Sequence, residues 1–205
     1  MACYIAMRWI VLLLTLAGAV LALVGTISLN VFSIDAKGKY GVNAKSTVNF
    51  FNIKAKDLSY TFSNGTTRSV NAIPDSRFIY STCKDLKNTF MAIEGFALSG
   101  IVLGFFTFLA SAVQCLCRLK MKLILFIFAC LSAFCELLTV ILCAVAHSKT
   151  FCGKSTEMGN SSSINFKKSG YKLDIQFILH IVSLVVFVIC LILIPFTQQL
   201  WCGSK

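Results

Sequence analysis

Residues 9–29 read WIVLLLTLAGAVLALVGTISL, an uninterrupted run without a charged side chain. A hydrocarbon core about 30 Å thick is crossed by about 20 apolar residues of helix, so this stretch predicts a membrane-spanning segment. Arg8 precedes it, and Ala17-Gly18-Ala19 resembles a signal-peptidase site. The h-region of a signal peptide is usually about 7 to 15 residues long, so the run is read as an uncleaved helix. Three further stretches meet the same test, residues 90–116, 123–146 and 175–196, leaving two long loops at 30–89 and 147–174. Of the 205 residues, 57% are hydrophobic and 13% charged, with a mean hydropathy of +0.81. That bias excludes an ordinary soluble domain. The expected fold is an all-α membrane protein, a single four-transmembrane domain over residues 1–205 whose four-helix bundle carries a small extracellular β-sheet drawn from the first loop.

Sidedness rests on competing signals. The long loops carry nine and five Lys or Arg residues, whereas the connector 118–122 packs three into five positions. Cation bias is most informative for short loops. Asn64-Gly65-Thr66 and Asn160-Ser161-Ser162 are glycosylation sequons, one in each long loop. Each long loop also has a single cysteine, Cys83 and Cys152. An even helix count puts both loops on one side, and these four features place that side outside or in a lumen. The N- and C-termini are then cytoplasmic, and the protein is a multi-pass component of the plasma membrane or an endomembrane.

Within the first loop, residues 58–62 alternate apolar and polar, Asn64-Gly65 is a type I′ turn signal, and residues 68–73 supply a returning strand. The β-branched and aromatic run 47–53 is expected to pair with that hairpin. In the helices, Gly18, Ala22 and Gly25, and the pair Gly100 and Gly104, give small-residue faces that permit close backbone approach.

Three ionisable residues lie in the spans: Glu94, Glu136 and His180. Each is costly in lipid unless paired, neutral or facing a cavity. At about 1.5 Å per residue, Glu94 and His180 both fall roughly 6 to 8 Å below the outer helix ends and could pair, with Glu136 near the midplane. One reading is a proton or cation path; the other, which is favoured, is a hydrogen-bonded carboxyl that holds the bundle together. Cys3, Cys115, Cys117 and Cys202 fall at the cytoplasmic edge, where cysteines beside basic residues suit reversible palmitoylation. No CxxC pair, HExxH, Walker loop, GxSxG or paired-carboxylate arrangement appears in the sequence, so no enzyme or cofactor is expected. The net charge of +11 is divided between the two sides and points to membrane lipids and anionic surfaces rather than nucleic acid.

The opening Met1-Ala2-Cys3, the longest loop coming first, and the pattern Phe90-x-Ala92-x-Glu94-Gly95-Phe96-Ala97 at the second span resemble the amastins, surface glycoproteins of trypanosomatid parasites. The likeness covers nearly the whole chain, and Cys83 and Cys152 fall where members tend to carry loop cysteines. The family's signature is a first-loop block with a cysteine at each end and a central aromatic followed by glycine. Residues 47–57 fit that frame with Phe51 as the aromatic, but Thr47 and Asp57 stand in place of both cysteines and Asn52 in place of the glycine. Joint loss of both ends is what a disulfide between them would imply. The resemblance therefore implies a divergent, amastin-like member. The architecture is also similar to the claudins. Tetraspanins and connexins fit poorly, since their outer-loop cysteine patterns are absent.

These observations favour a non-enzymatic surface or endomembrane glycoprotein with a structural, adhesive or host–parasite interaction role. The alternative is a small proton or ion transporter using the buried Glu and His residues. Beyond lipids, other membrane proteins or a second copy of the chain are the natural partners. As the only cysteines in loops assigned to the oxidising side, Cys83 and Cys152 are expected to form a disulfide.

Overall fold

The computed structural model describes residues 2–28, 30–37, 42–61, 67–70, 76–77, 83–117, 122–152 and 165–197. They belong to two compact units: a bundle unit of Met1–Ile27, Gly95–Val140 and Ile178–Lys205, and a sheet unit of Ser28–Glu94 and Ile141–Phe177. The four long helices are α1 (Ala2–Ser28), α2 (Lys84–Leu116), α3 (Lys122–Ser148) and α4 (Ile175–Leu193), the last followed by a 3₁₀ turn at Ile194–Thr197. All four are long and apolar enough to cross a membrane.

Two helices outrun their apolar stretches. Helix α1 begins at Ala2, and α2 begins at Lys84, six residues ahead of Phe90. The start of α2 is favoured by Asp85 in its first turn, where a carboxylate meets unbonded N–H groups, and by the Lys87 N–H donating to the Cys83 carbonyl at 3.0 Å. At the other end of the chain, Pro195 disfavours helical backbone at the residue before it and donates no hydrogen bond. The α-helical part of α4 therefore stops at Leu193.

In the bundle unit, side chains from all four helices meet at small residues. The Phe187 ring of α4 lies against Gly18 of α1 and Gly104 of α2: a Cβ on either glycine would stand 3.1 or 3.0 Å from its Cζ. Both small-residue faces are thus used inside one chain. Nearer the ends of α1 and α4, Val11, Ala110, Leu125, Ala129 and Ile194 form a buried apolar cluster. Only 28–39% of each span is buried within the protein. Large side chains such as Leu13, Leu123 and Ile192 are exposed, an arrangement that lipid tolerates and water does not.

The sheet unit contains β1 (Phe32–Lys37), β2 (Val42–Val48), β3 (Asn52–Thr61), β4 (Thr67–Val70), β5 (Ser76–Arg77) and β6 (Lys172–Leu173). Their order is β4-β3-β2-β1-β6, with β5 also paired to β3. The expected hairpin across Asn64-Gly65 is present as β3 and β4, paired Thr61 to Thr67 and Leu58 to Val70. Two expectations are corrected. Residues 47–53 are not one strand: Thr47 and Val48 end β2, Asn52 and Ile53 begin β3, and residues 49–51 turn between them, with Val48 paired to Ile53. The Asn49 side chain accepts a hydrogen bond from the Phe51 N–H at 3.0 Å and Phe50 is buried, so local side-chain bonding overrides β propensity here. The sheet is also not built from the first loop alone, because β6 comes from the second long loop and pairs Leu173 with Phe32.

Alternation along the strands separates two faces. Phe32 and Val48 are fully buried, while their neighbours Ser33 and Thr47 are only half-buried. The buried face meets an aromatic core: the Phe166 ring centroid lies 5.1 Å from Phe32, 5.9 Å from Phe90, 6.4 Å from Phe151 and 5.5 Å from Tyr171. His147 of α3 joins this core, its Nε2 lying 2.8 Å from the Tyr171 carbonyl oxygen.

Candidate functional site

Helix α3 contributes Glu136 and α4 contributes His180, both fully buried in the bundle unit. His180 Nδ1 lies 2.7 Å from Glu136 Oε2. The pairing of His180 with Glu94 that helix-end counting allows is therefore not the one made: His180 pairs with Glu136. That counting assumes all helix ends lie level. Glu136 lies 12 residues before the end of α3 and His180 5 residues after the start of α4, so these two helix ends are not level where the side chains meet. Glu94, half-buried, belongs to the sheet unit.

Room for the pair comes from two glycines. A Cβ on Gly100 of α2 would stand 2.9 Å from Glu136 Oε1, and one on Gly25 of α1 would stand 3.4 Å from His180 Nε2. Ser132 Oγ donates to the Gly100 carbonyl at 3.3 Å, and Ser183 Oγ donates to the Gly18 carbonyl at 3.1 Å. Glu136 Oε1 has no hydrogen-bond partner among the described residues and rests on the Gly100 backbone. Carboxyl and imidazole carry no net charge together, whether the proton sits on one or the other. Neutrality lowers the cost of holding them in a low-dielectric interior. Among the described residues no group of three or more His, Cys, Asp or Glu side chains is placed to hold a metal ion.

A second polar cluster, unanticipated from the sequence, ties three helices. Arg8 of α1 donates from Nε to the Thr197 carbonyl and from its guanidinium Nη1 to the Gln114 carbonyl, each at 3.2 Å. Gln114 Nε2 donates to Thr197 Oγ1 at 3.1 Å, and that hydroxyl donates to the Ile194 carbonyl at 2.8 Å. The last carbonyls of a helix lack intrahelical donors and carry partial negative charge. A guanidinium answers both needs. The available signal was Gln114, an amide within an apolar span.

In the sheet unit, Cys83 and Cys152 form a disulfide with Cα atoms 5.7 Å apart, closing 69 residues of chain. It links the residue preceding α2 to the segment following α3. Cys152 has a φ of 63°, a left-handed conformation costing a non-glycine residue about 1–3 kcal/mol, which the cross-link and surrounding core offset. Asn165 finishes α3, donating from Nδ2 to the Ser148 carbonyl at 3.0 Å and to Thr150 Oγ1 at 2.8 Å.

The signature frame takes a definite register. Thr47 faces Lys54, and Asp57 lies three residues further along β3, in the bulge between the Lys45–Lys56 and Asn43–Ser59 pairs. Three residues of strand span about 10 Å, beyond the roughly 7 Å over which two Cα atoms can be bridged. A disulfide between positions 47 and 57 is therefore not accommodated by this register. Phe51 and Asn52 flank the turn entry into β3. Of the lipidation candidates, Cys115 is a half-buried and Cys117 an exposed free thiol. Cys3 lies in α1, its side chain outside the described set, and Cys202, Asn64 and Asn160 lie outside the described residues.

A family model described as amastin surface glycoprotein matches residues 19–194, from within α1 to the end of α4 and including both long loops. No curated protein matches the chain.

Proposed function

The chain belongs to the amastin surface glycoprotein family, and from that premise we propose that it is a non-enzymatic surface or endomembrane glycoprotein, held in the bilayer by four helices, whose sheet unit makes adhesive or organising contacts outside or in a lumen. The observation that carries this reading is the Cys83–Cys152 disulfide, because such bonds persist in oxidising compartments. Its partner segments precede α2 and follow α3, so both long loops share the oxidising side and both termini are cytoplasmic. A conducting role has less support: Glu136 and His180 are engaged with each other, and Glu136 Oε1 rests on backbone rather than facing a row of polar groups.

Protease protection of tagged, full-length protein tests the topology. In intact cells or right-side-out vesicles the sheet unit should be cut or shielded as an outer or lumenal segment, and terminal tags should respond oppositely. N-glycosidase should increase gel mobility of the wild type and do less to Asn64→Gln. Cytoplasmic accessibility of the sheet unit with no glycosidase shift would reject the reading.

A further inference from the structure

In the sheet unit, the ends of α2, α3 and α4 carry lysines at one level. On α2, Lys84 and Lys87 precede Phe90, where the apolar stretch begins, by six and three positions, which is about 9 and 4.5 Å of helix. Lys149 follows Ala146, the last residue of the apolar stretch of α3, by three positions, and its N–H still donates to the Val145 carbonyl at 2.8 Å. Lys167 is held at the same end, its N–H donating to the His147 carbonyl at 3.0 Å, with Lys168 beside it in sequence. Lys172, on β6, stands three positions before Ile175, where α4 begins. Lys87 is half-buried and the other five are exposed. Acids at this level do not match them. Asp85 approaches Lys149 at 3.9 Å with both groups largely exposed, the only ion pair of this group among the described residues. Asp174 accepts the Ile175 N–H at 2.7 Å, and Glu94 lies four positions inside the apolar stretch of α2.

Two considerations go beyond a solvated surface. The first is depth. A bilayer about 40–45 Å thick around a hydrocarbon core of about 30 Å leaves a headgroup layer of about 5–8 Å on each side. Lysine stems lie along apolar surface while the ammonium reaches for polar partners, so all six ammonium groups can enter that layer. The second is sidedness. Cations beside a span normally mark its cytoplasmic end, and the opposite ends of these helices carry Arg8, Arg118, Lys120 and Lys122. An outer rim at least as basic works against the orientation proposed from the Cys83–Cys152 disulfide. An attraction on the outer side offsets that handicap.

We propose that this rim binds acidic phospholipids, whose phosphate headgroups, in the outer or lumenal leaflet of the protein's own bilayer, are held by Lys84, Lys87, Lys149, Lys167, Lys168 and Lys172. The shared level of the lysines at the span ends selects a ligand in the plane of the membrane over a soluble polyanion, which needs no such level. Which leaflet is occupied rests on the orientation proposed above; binding at these helix ends does not.

Full-length protein in phosphatidylcholine nanodiscs would receive photoreactive phosphatidylglycerol or, as the neutral control, photoreactive phosphatidylcholine, and the labelled peptides would be mapped by mass spectrometry. At the lysine-bearing ends of α2, α3 and α4, phosphatidylglycerol should label the wild type in preference to phosphatidylcholine. Lys167→Gln/Lys168→Gln/Lys172→Gln should lower the apparent affinity there about a hundredfold, at roughly fivefold for each cation removed from an anionic surface. Labelling at residues 118–122, on the opposite ends, should stay unchanged and serves as the internal control. Mapping of the Cys83–Cys152 linkage verifies that the variant folds. Asp85→Asn releases Lys149 and should raise phosphatidylglycerol labelling several-fold, a gain that misfolding does not produce. Equal labelling of the lysine-bearing ends by the two lipids, with or without binding of soluble heparin, would overturn the proposal. So would a triple variant that keeps the wild-type preference or loses labelling equally at both ends of the helices. A nanodisc offers the same lipids on both faces, so none of these outcomes depends on cellular orientation, and the topology could fail separately in the protease-protection experiment.

Discussion

The sheet unit joins its strands by backbone hydrogen bonds, fills one face with Phe32, Phe90, Phe151 and Phe166, and is cross-linked at Cys83–Cys152. Among the described residues the bundle unit has no strands; its helices satisfy their own backbones and meet where Gly18, Gly100 and Gly104 admit Phe187 and Glu136. The difference follows from solvent. Where water competes for every backbone group, a small unit needs an apolar core and benefits from a covalent staple. In lipid, burying apolar surface between helices gains little, and close packing and polar contacts decide the arrangement. Charge shows the same contrast. The two long loops carry nine and five of the Lys and Arg residues, whereas the bundle interior holds Glu136 with His180 beside it.

The largest test of this contrast is His180→Leu. With Glu136 retained, the carboxylate loses its partner in a dry interior, and the bundle should lose about 3–5 kcal/mol. Replacing both residues by Leu should restore most of that loss. Denaturation of micelle-solubilised protein in a double-mutant cycle measures the coupling. Formation of the Cys83–Cys152 bond should survive in every variant, and its loss would break the idea that the units are held independently.

The reciprocal change is Cys83→Ser with Cys152→Ser, which should cost the sheet unit about 2–4 kcal/mol through greater freedom of the unfolded chain. Hydrogen exchange should accelerate in β1, β2 and β3 and leave the centres of α2 and α3 protected. Uniform acceleration through both units would erase the distinction. Smallest is Asn49→Ala, which removes the acceptor for the Phe51 N–H and should cost about 1 kcal/mol. Exchange should quicken around residues 49–51 alone, and a global effect would mean that the turn nucleates the whole sheet.

Length and apolar content determined the four spans, because a bilayer of fixed thickness demands helices of a narrow length and composition. Alternation and Asn64-Gly65 likewise located the β3–β4 hairpin, since turn chemistry and strand period are local properties. Cys83 and Cys152 were legible because each is alone in its loop. The partner of His180 was not legible: helix-end counting measures position along one helix, whereas contact depends on how α3 and α4 are offset and on Gly25 and Gly100 making space. Nor was the Arg8 cluster, whose acceptors are the carbonyls of Gln114 and Thr197 and carry no side-chain signature. Sequence alone fixes which segments enter lipid, through composition summed along the chain; the offsets between helices and the register between strands are decided by packing across distant segments, and only the tertiary structure holds that information.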